Sequence, residues 1–246
     1  MLRHYLLAVL AVTLLSAHVA PSVDDNNRYL KLTPLGDRVR IAYTVFFGEV
    51  PGAGERRGID ANRDGHIDDA ESHAFGERLA GQVAAAVELE VDGVRTPLKW
   101  QTIDVGMGTP DVAAGSFSVD LVAYPCLASV RGRHRILLHD KLQLTRPGET
   151  EVKVEDSPGV TIDHARIGPA DDPSYDYKFV GGGGPIADDG LDLQFNAGPK
   201  ALVTADGACV AAGAGGGGSA LPWILGAGAV LLAVAGGVFV LVRRRG

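Results

Sequence analysis

Short runs in which apolar and polar residues alternate recur through the middle of the chain. In the run "VRIAYTVFF", residues 39–47, every second side chain is apolar, and this period of two gives a β-strand one apolar face. Turn-forming residues separate the runs. About eight to ten short strands of this kind predict a mainly β fold, an antiparallel β-sandwich-like domain or a barrel. The later runs are "SFSVDLVAY", "HRILLHDKLQL", "EVKVE", "GVTIDHARI", "LDLQF" and "ALVTA".

Two turn signatures connect neighbouring runs, and one segment has a helical period instead. The residues "PLGD" join "YLKLT" to the next run, so residues 29–47 are predicted to form a β-hairpin. Asp92 and Gly93 form the strongest short hairpin signal, directly after an alternating run at 87–91. Between these hairpins, "AESHAFGERLAGQVAAAV" carries apolar residues at helical spacing, which predicts one amphipathic helix.

Two mainly apolar segments lie near the ends of the chain. Residues 1–20 begin with the basic Arg3, continue with an apolar run and end in small residues, which is the pattern of a secretory signal peptide. Residues 221–242 carry no charge and are long enough to cross about 30 Å of hydrocarbon as a transmembrane helix. The three arginines that follow predict that residues 243–246 form a cytoplasmic basic tail.

The part of the chain between these segments divides into a body and a linker. Residues 24–208 contain the alternating runs and are expected to form a β-rich extracytoplasmic domain, whereas the glycine-rich residues 209–220 are expected to form a flexible linker. The chain has 30 acidic and 23 basic residues and a formal net charge of −7. An acidic protein repels the phosphates of nucleic acids, so we expect cations rather than nucleic acids as partners.

The chain contains two cysteines, Cys126 and Cys209, and both lie in the part that is expected to be exported. Thiols tend to oxidise outside the cytoplasm, and two cysteines allow only one pairing. Two interpretations stay open: a disulfide that ties the end of the domain to its middle, or two unpaired thiols.

Acidic residues are concentrated in "GIDANRDGHIDDAES", residues 58–72, shortly after the apolar run "YTVFF". Like charges repel, so this crowding requires either a cation or full solvation. Counted from Asp60, oxygen-bearing side chains occupy positions one, three, five, nine and twelve, and Gly65 occupies position six. The spacing fits the pattern D-x-[DN]-x-[DN]-G-x5-E at every defined place. The candidate metal ligands are Asp60, Asn62, Asp64, His66 through its backbone carbonyl, Asp68 and Glu71.

The loop resembles the calcium-binding loop of EF-hand proteins, and the resemblance covers residues 60–71 and their flanks. It implies that about six to eight oxygens bind Ca²⁺, that Gly65 allows a sharp turn, and that Glu71 closes the shell with both carboxylate oxygens. A solvated acidic turn is the alternative. Pro51 and the glycines of "VPGAGERRG" predict at most one turn of incoming helix, and no second matching loop follows. Residues 60–87 are therefore expected to be an inserted EF-hand-like loop plus helix, with calcium in a structural role.

No other part of the sequence carries a recognisable catalytic or metal-binding pattern. His134 and His139 are five residues apart on a predicted strand, which places them on opposite faces. The stretch "VGGGGPIADDG" lacks the Lys-Ser/Thr of a phosphate-binding loop and is predicted to be a loop between strands. The common hydrolase and zinc signatures are also missing, so we do not expect an enzyme and assign neither catalytic nor cofactor-binding residues.

Two further stretches resemble known families. The stretch "GGGGSALPWILGAGAVLLAVAGGVFVLVRRRG" resembles the glycine-rich C-terminal sorting signals of exported bacterial proteins, which imply processing by a membrane protease. An ordinary single-pass anchor is the alternative. The stretch "RYLKLTPLGDRVRIAYTVFFGEVPGAGERRGIDANRDGHIDDAE" is similar to exported N-terminal domains of some bacterial nickel/cobalt-permease-like membrane proteins. The multi-helix permease itself is missing from this sequence, so transport does not carry over.

Taken together, the sequence favours a calcium-binding, membrane-tethered bacterial domain that lies outside the cytoplasm, in the periplasm or on the cell surface, as a non-catalytic surface or interaction module. One alternative is an accessory domain for nickel or cobalt handling, which the permease-like similarity suggests. Oxygen ligands favour calcium, whereas a nickel site would need imidazoles. A second alternative is a hydrolase with a structural calcium, which would require a polar pocket.

Overall fold

Two β-sheets and three helices make up the part of the chain that this computed structural model describes, residues 24–205 and 207–209. The predicted mainly β fold is confirmed. The strands are β1 (Asn26–Pro34), β2 (Val39–Phe47), β3 (Val87–Val91), β4 (Val94–Arg95), β5 (Trp100–Gly106), β6 (Phe117–Ala123), β7 (Gly132–Asp140), β8 (Pro147–Val154), β9 (Val160–Ile167), β10 (Asp176–Val180) and β11 (Leu191–Ala197). The helices are α1 (Glu49–Ile59), α2 (Asp69–Ala86) and α3 (Gly184–Asp188).

The strands pair into one sheet of six, in the order β10-β8-β1-β2-β6-β5, and one sheet of five, in the order β4-β3-β7-β11-β9. Every neighbouring pair described is antiparallel except β1 and β8, which run parallel. Two antiparallel-rich sheets are consistent with the expected sandwich-like arrangement.

The alternation in the sequence corresponds to alternating burial along the strands. In β2 the buried and partly buried positions alternate strictly over all nine residues, and β6 repeats this over seven. One face of each strand therefore packs into the core while the other stays partly accessible. The buried residues of β2 are Val39, Ile41, Tyr43, Val45 and Phe47.

Both predicted hairpins and the amphipathic helix are confirmed. β1 pairs with β2 across "PLGD", and β3 pairs with β4 across Asp92 and Gly93. Those two turn residues have φ angles of 52° and 80°, which is the left-handed region that such a tight hairpin needs. On α2, the apolar stripe that the spacing predicts is buried, with Phe75, Leu79 and Val83 facing the core.

The incoming helix α1 corrects the expectation that the segment before the loop forms at most one turn, so two helices flank the loop instead of one. α1 spans 11 residues. Pro51 lies in its first turn, where a missing N–H breaks no intrahelical hydrogen bond. Gly52 has a packing role, because a Cβ at this position would lie 2.6 Å from the carbonyl oxygen of Gly115.

Several other segments differ from the sequence-based expectation. Residues 201–205 were predicted as a strand but contain none, since Leu202 and Val203 are exposed and the chain there makes turns. The glycine-rich stretch after residue 180 contains the short helix α3 as well as a loop. Strands β5 and β10 had not been predicted. β10 pairs with β8, and its Tyr177 is buried and donates its hydroxyl to the carbonyl of Ala165 on β9 at 2.7 Å.

Cys126 and Cys209 form a disulfide, which decides between the two interpretations left open by the sequence. The expected signal peptide at 1–20, the linker from residue 210 onward, the predicted transmembrane segment at 221–242 and the basic tail lie outside the described residues. Among the helices that the structure does describe, none is both long and apolar enough to cross a membrane.

Candidate metal-binding loop

The acidic loop lies between two helices. α1 ends at Ile59, the loop runs from Asp60 to Glu71, and α2 already begins at Asp69 within the last turn of the loop. Two apolar residues anchor the loop to the core, since Ile59 is 3% exposed and Ile67 is 5% exposed. A helix therefore lies on each side of the loop, which is the order of elements in an EF-hand.

The first half of the loop is organised around the carboxylate of Asp60. Its Oδ1 accepts the backbone N–H of Asp64 at 3.2 Å, and its Oδ2 accepts the N–H of Gly65 at 3.1 Å. Asp60 is itself buried, with 8% of its surface exposed. Gly65 has a φ of 87° and Arg63 a φ of 62°, so the backbone reverses direction here as expected for the position-six glycine.

The next ligand candidates follow the same pattern of side-chain-to-backbone bonds. Asn62 Oδ1 accepts the N–H of Asp64 at 2.8 Å, and Asp64 Oδ1 accepts the N–H of His66 at 2.8 Å. The Asn62 amide also donates to Asp64 Oδ2 at 3.1 Å. Bonds from a side chain to the backbone two residues on make a tight turn at positions three to seven.

Glu71 connects the end of the loop to its beginning. Its Oε1 accepts the backbone N–H groups of Ala61 at 2.8 Å and Asn62 at 3.2 Å, across nine to ten residues. Its Oε2 accepts the N–H of Asp68 at 3.1 Å, and Asp68 in turn accepts the N–H of Glu71 at 2.8 Å, which is a capping box at the start of α2. The side chain at position twelve thus closes the loop by accepting backbone N–H groups, and the role of Glu71 as a calcium ligand through both oxygens stays a prediction.

The donor set fits calcium by its chemistry. All six candidate ligands supply oxygen, and carboxylate, amide and carbonyl oxygens are the ligands of hard cations. A carboxylate has about four acceptor sites, and the backbone bonds of Asp60 and Asp64 leave part of that capacity available. Backbone N–H groups hold these side chains, and the described residues contain no group of three or more His, Cys, Asp or Glu placed to hold a metal ion.

A neighbouring segment, Met107–Ser116, pairs with the loop backbone. The N–H of Ile67 donates to the carbonyl of Pro110 at 2.8 Å, and the N–H of Val112 donates to the carbonyl of Gly65 at 3.2 Å. His66 and Asp111 face each other between these two bonds as an isolated antiparallel bridge. The sequence did not indicate this partner, since residues 107–116 have no EF-hand pattern.

The Arg56 side chain on α1 binds the backbone of the Met107–Ser116 segment. This side chain is 0% exposed, and its guanidinium donates five hydrogen bonds to backbone carbonyls only. Burial lowers the pKa of Arg56, while the negative charges of Asp111 and Glu49 raise it. The accepting carbonyls belong to Met107, Thr109, Asp111, Gly115 and Ser116.

Aromatic packing connects the helix after the loop to the first sheet. The rings of Phe47 on β2 and Phe117 on β6 stack with centroids 4.5 Å apart, and Phe75 on α2 meets both edge-on at 5.7 and 5.6 Å. Further along α2, the carbonyl of Ala80 accepts the indole N–H of Trp100 on β5 at 2.9 Å. Any change in the direction of α2 would therefore alter its packing against β5, the edge strand of the six-stranded sheet.

The two histidines of β7 lie in different surroundings. His134 is buried and its Nδ1 lies 2.9 Å from Asp92 Oδ2, whereas His139 occupies the alternate, partly exposed register of β7. These two side chains do not come together, as their spacing predicted.

Comparison with known proteins adds no assignment. A scan against protein-family models gives no match, and a search of curated proteins gives no relative. The class that the fold and the loop define is a β-rich domain with an inserted helix–loop–helix, and its function follows from its own residues.

Proposed function

We propose that this chain is an exported, membrane-tethered, non-catalytic module that binds one calcium ion in the loop 60–71, and that calcium mainly stabilises its fold. In this proposal the β-rich body is a sandwich with an EF-hand-like insertion, and it acts at the cell surface or in the periplasm as an interaction module. The observation that carries the proposal is the closed twelve-residue loop between two helices, with Glu71 bonded back to positions two and three.

The ligands would be the side chains of Asp60, Asn62, Asp64, Asp68 and Glu71, with the backbone carbonyl of His66. Four of these side chains are carboxylates within twelve residues. Their mutual repulsion opposes folding, and a bound Ca²⁺ supplies two positive charges that offset it. The chain would hold these oxygens on a turn that is anchored at both ends, by the buried side chains of Ile59 and Ile67.

A structural role is favoured because both helices already pack on the body. Phe75 on α2 contacts Phe47 and Phe117, and Arg56 on α1 is fully buried. Helices fixed in this way have little freedom to swing open on binding an ion. Calcium would therefore add to the stability of the domain instead of exposing a new surface.

The first experiment is calorimetric titration of the full chain, in detergent, with CaCl₂. The wild type should take up one ion per chain with a dissociation constant of about 10⁻⁴–10⁻³ M, the range of extracellular modules. The variant Asp60→Ala/Glu71→Ala should take up none. The matched control is Asp163→Ala/Asp171→Ala, which removes two exposed carboxylates elsewhere and should bind like the wild type. No binding by the wild type, or equal binding by the loop variant, would refute the proposal.

Thermal unfolding tests the structural role separately. At a free calcium concentration one hundred times the dissociation constant, the folded state should gain about 2.7 kcal/mol over the chelated sample. Equal midpoints with calcium and with chelator would remove the structural role. Titration with Ni²⁺ and Co²⁺ in the same buffer should show weaker uptake than Ca²⁺, and a preference for nickel or cobalt would favour metal handling instead.

A further inference from the structure

We propose that the segment Met107–Ser116 acts as a built-in second half for the calcium loop, and that Arg56 sets the calcium affinity by holding this segment in place. The inference rests on the proposed calcium function and deepens it. It assigns to this chain's own residues the pairing that a second loop or a second copy would otherwise provide, so the module binds its ion as a monomer.

The first step is the contact between Arg56 and the segment. A buried guanidinium needs its donors satisfied, and here all the partners described are backbone carbonyls of Met107–Ser116. Bonds from a charged donor are about twice as strong as bonds between neutral groups. Five of them around one planar group fix the path of a segment that has no regular structure between β5 and β6.

The second step is the contact between the segment and the loop. Two backbone bonds, from Ile67 to Pro110 and from Val112 to Gly65, flank His66 on both sides. His66 is the position whose carbonyl is the expected calcium ligand. The direction of that carbonyl is therefore set by residues outside the loop, as outer-shell groups set the orientation of metal ligands in other proteins.

The third step is the fit between α1 and the segment. The Cα of Gly52 lies so near the segment that a Cβ there would be 2.6 Å from the carbonyl oxygen of Gly115. Ser116 Oγ also lies 3.2 Å from Glu49 Oε1, at the beginning of the same helix. One helix thus carries both the entrance to the loop at Ile59 and the support of its partner segment.

A consequence is that the backbone edge of the loop is already hydrogen-bonded to the Met107–Ser116 segment. An unpaired strand edge invites pairing with another chain, whereas an edge whose N–H and C=O groups are bonded offers little. Calcium binding should therefore not require a dimer. The dissociation constant should be the same at low and high protein concentration, and the chain should sediment as a monomer with and without calcium.

The decisive variants keep the charge and change only the shape of the cation. Arg56→Lys retains one positive charge but cannot reach five carbonyls with a fork of donors. Arg57→Lys is the control, an exposed residue one position along the same helix. By calorimetry we expect Arg56→Lys to weaken calcium binding about 3- to 10-fold, less than the roughly 10- to 100-fold lost with a group bonded directly to a metal ligand, because Arg56 acts through the intervening segment. Arg57→Lys should stay within about twofold of the wild type.

Amide hydrogen exchange separates positioning from general loss of stability. In Arg56→Lys the amides of Ile67 and Val112 should exchange faster, while the amide of Leu121 on β6, a strand paired on both sides, keeps its protection. Wild-type affinity in Arg56→Lys, unchanged exchange at Ile67, or an affinity that rises with protein concentration would each overturn the inference while leaving calcium binding intact. A wild type that binds no calcium would instead refute the proposed function.

Discussion

Arg28 on β1 donates a hydrogen bond from Nη1 to Oδ2 of Asp140 on β7 at 2.6 Å, and both side chains are buried at 1% and 0% exposure. The pair joins the six-stranded sheet to the five-stranded sheet. The hydroxyl of Tyr43 donates to the same Oδ2 at 2.8 Å, and the N–H of Leu142 donates to Oδ1 at 3.0 Å. Burial raises the pKa of Tyr43 well above its usual value, and the Asp140 charge adds to this.

Replacing Asp140 by asparagine should destabilise the domain strongly. The change leaves the Arg28 guanidinium buried without its counter-charge, and breaking a buried ion pair in this way costs about 3–5 kcal/mol. Denaturant unfolding of Asp140→Asn against the wild type measures the effect.

The matched control is Asp192→Asn, which breaks the pair between Arg135 and Asp192. There the side chains are 52% and 28% exposed, and exposed pairs contribute about 0–1 kcal/mol. If both variants lost the same unfolding free energy, the prediction that the buried pair contributes more than the exposed pair would be wrong.

The alternation of apolar residues predicted most of the strands, but not β5 and β10. The pattern in β2 could be recognised because this strand has one buried face, and the Asp92-Gly93 turn because tight hairpins need positive φ. The pair Arg28–Asp140 could not be predicted, because its partners are 112 residues apart and a lone arginine near the start of a strand looks like a surface residue.

In the loop, residue spacing predicted the turn at Gly65, which the structure contains, and a set of calcium ligands that ends at Glu71, which stays a prediction. It did not predict α1, since the glycines and Pro51 lower helix propensity and the compensating contacts of Gly52 and Arg56 are tertiary. It also did not predict the partner segment Met107–Ser116. Arg56 and the loop contact this segment through its backbone groups, which do not depend on residue type.

Gly52→Ala should destabilise the protein, whereas Gly58→Ala on the same helix should not. The two changes add the same methyl group to α1, but at Gly52 it would press on the Gly115 carbonyl, and at Gly58 nothing lies within 4 Å. Overpacking at the first position costs about 1–3 kcal/mol. At the second position alanine should add up to about 1 kcal/mol through helix propensity. Thermal unfolding of the two variants gives the comparison, and equal shifts in the same direction would contradict it.

Acid stability should depend on Asp92. Burial raises the pKa of this carboxyl, but N–H bonds from Arg135 and Ala128 and the His134 ring outweigh it, so its pKa lies below the ordinary 3.8. A carboxyl with a lower pKa in the folded state contributes stability above its unfolded pKa, and this contribution is lost as the pH falls through the folded value. The wild type should therefore lose unfolding free energy as the pH falls below about 4, and Asp92→Asn should lose less over that window.

Asparagine suits this test because it tolerates the positive φ of 52° at position 92. The variant should be less stable at neutral pH, since it loses the charge-assisted bonds, but its stability should change less with acid. Asp163→Asn, on the exposed side of β9, removes one charge elsewhere and should keep the wild-type slope. If the unfolding free energies of the wild type and Asp92→Asn changed in parallel with pH, Asp92 would not be the source of the acid sensitivity.

The disulfide between Cys126 and Cys209 should contribute much of the stability of the domain. It closes a loop with a sequence separation of 83 residues. In the chain-entropy model a loop of this length is worth about 4.5 kcal/mol, because the bridge restricts the unfolded chain. Cys126→Ala/Cys209→Ala should therefore unfold at a lower denaturant concentration than the wild type. Adding a reductant should bring the wild type down to the midpoint of the variant and leave the variant unchanged, because the chain has only 2 cysteines. A reductant that shifted both proteins, or neither, would contradict this assignment.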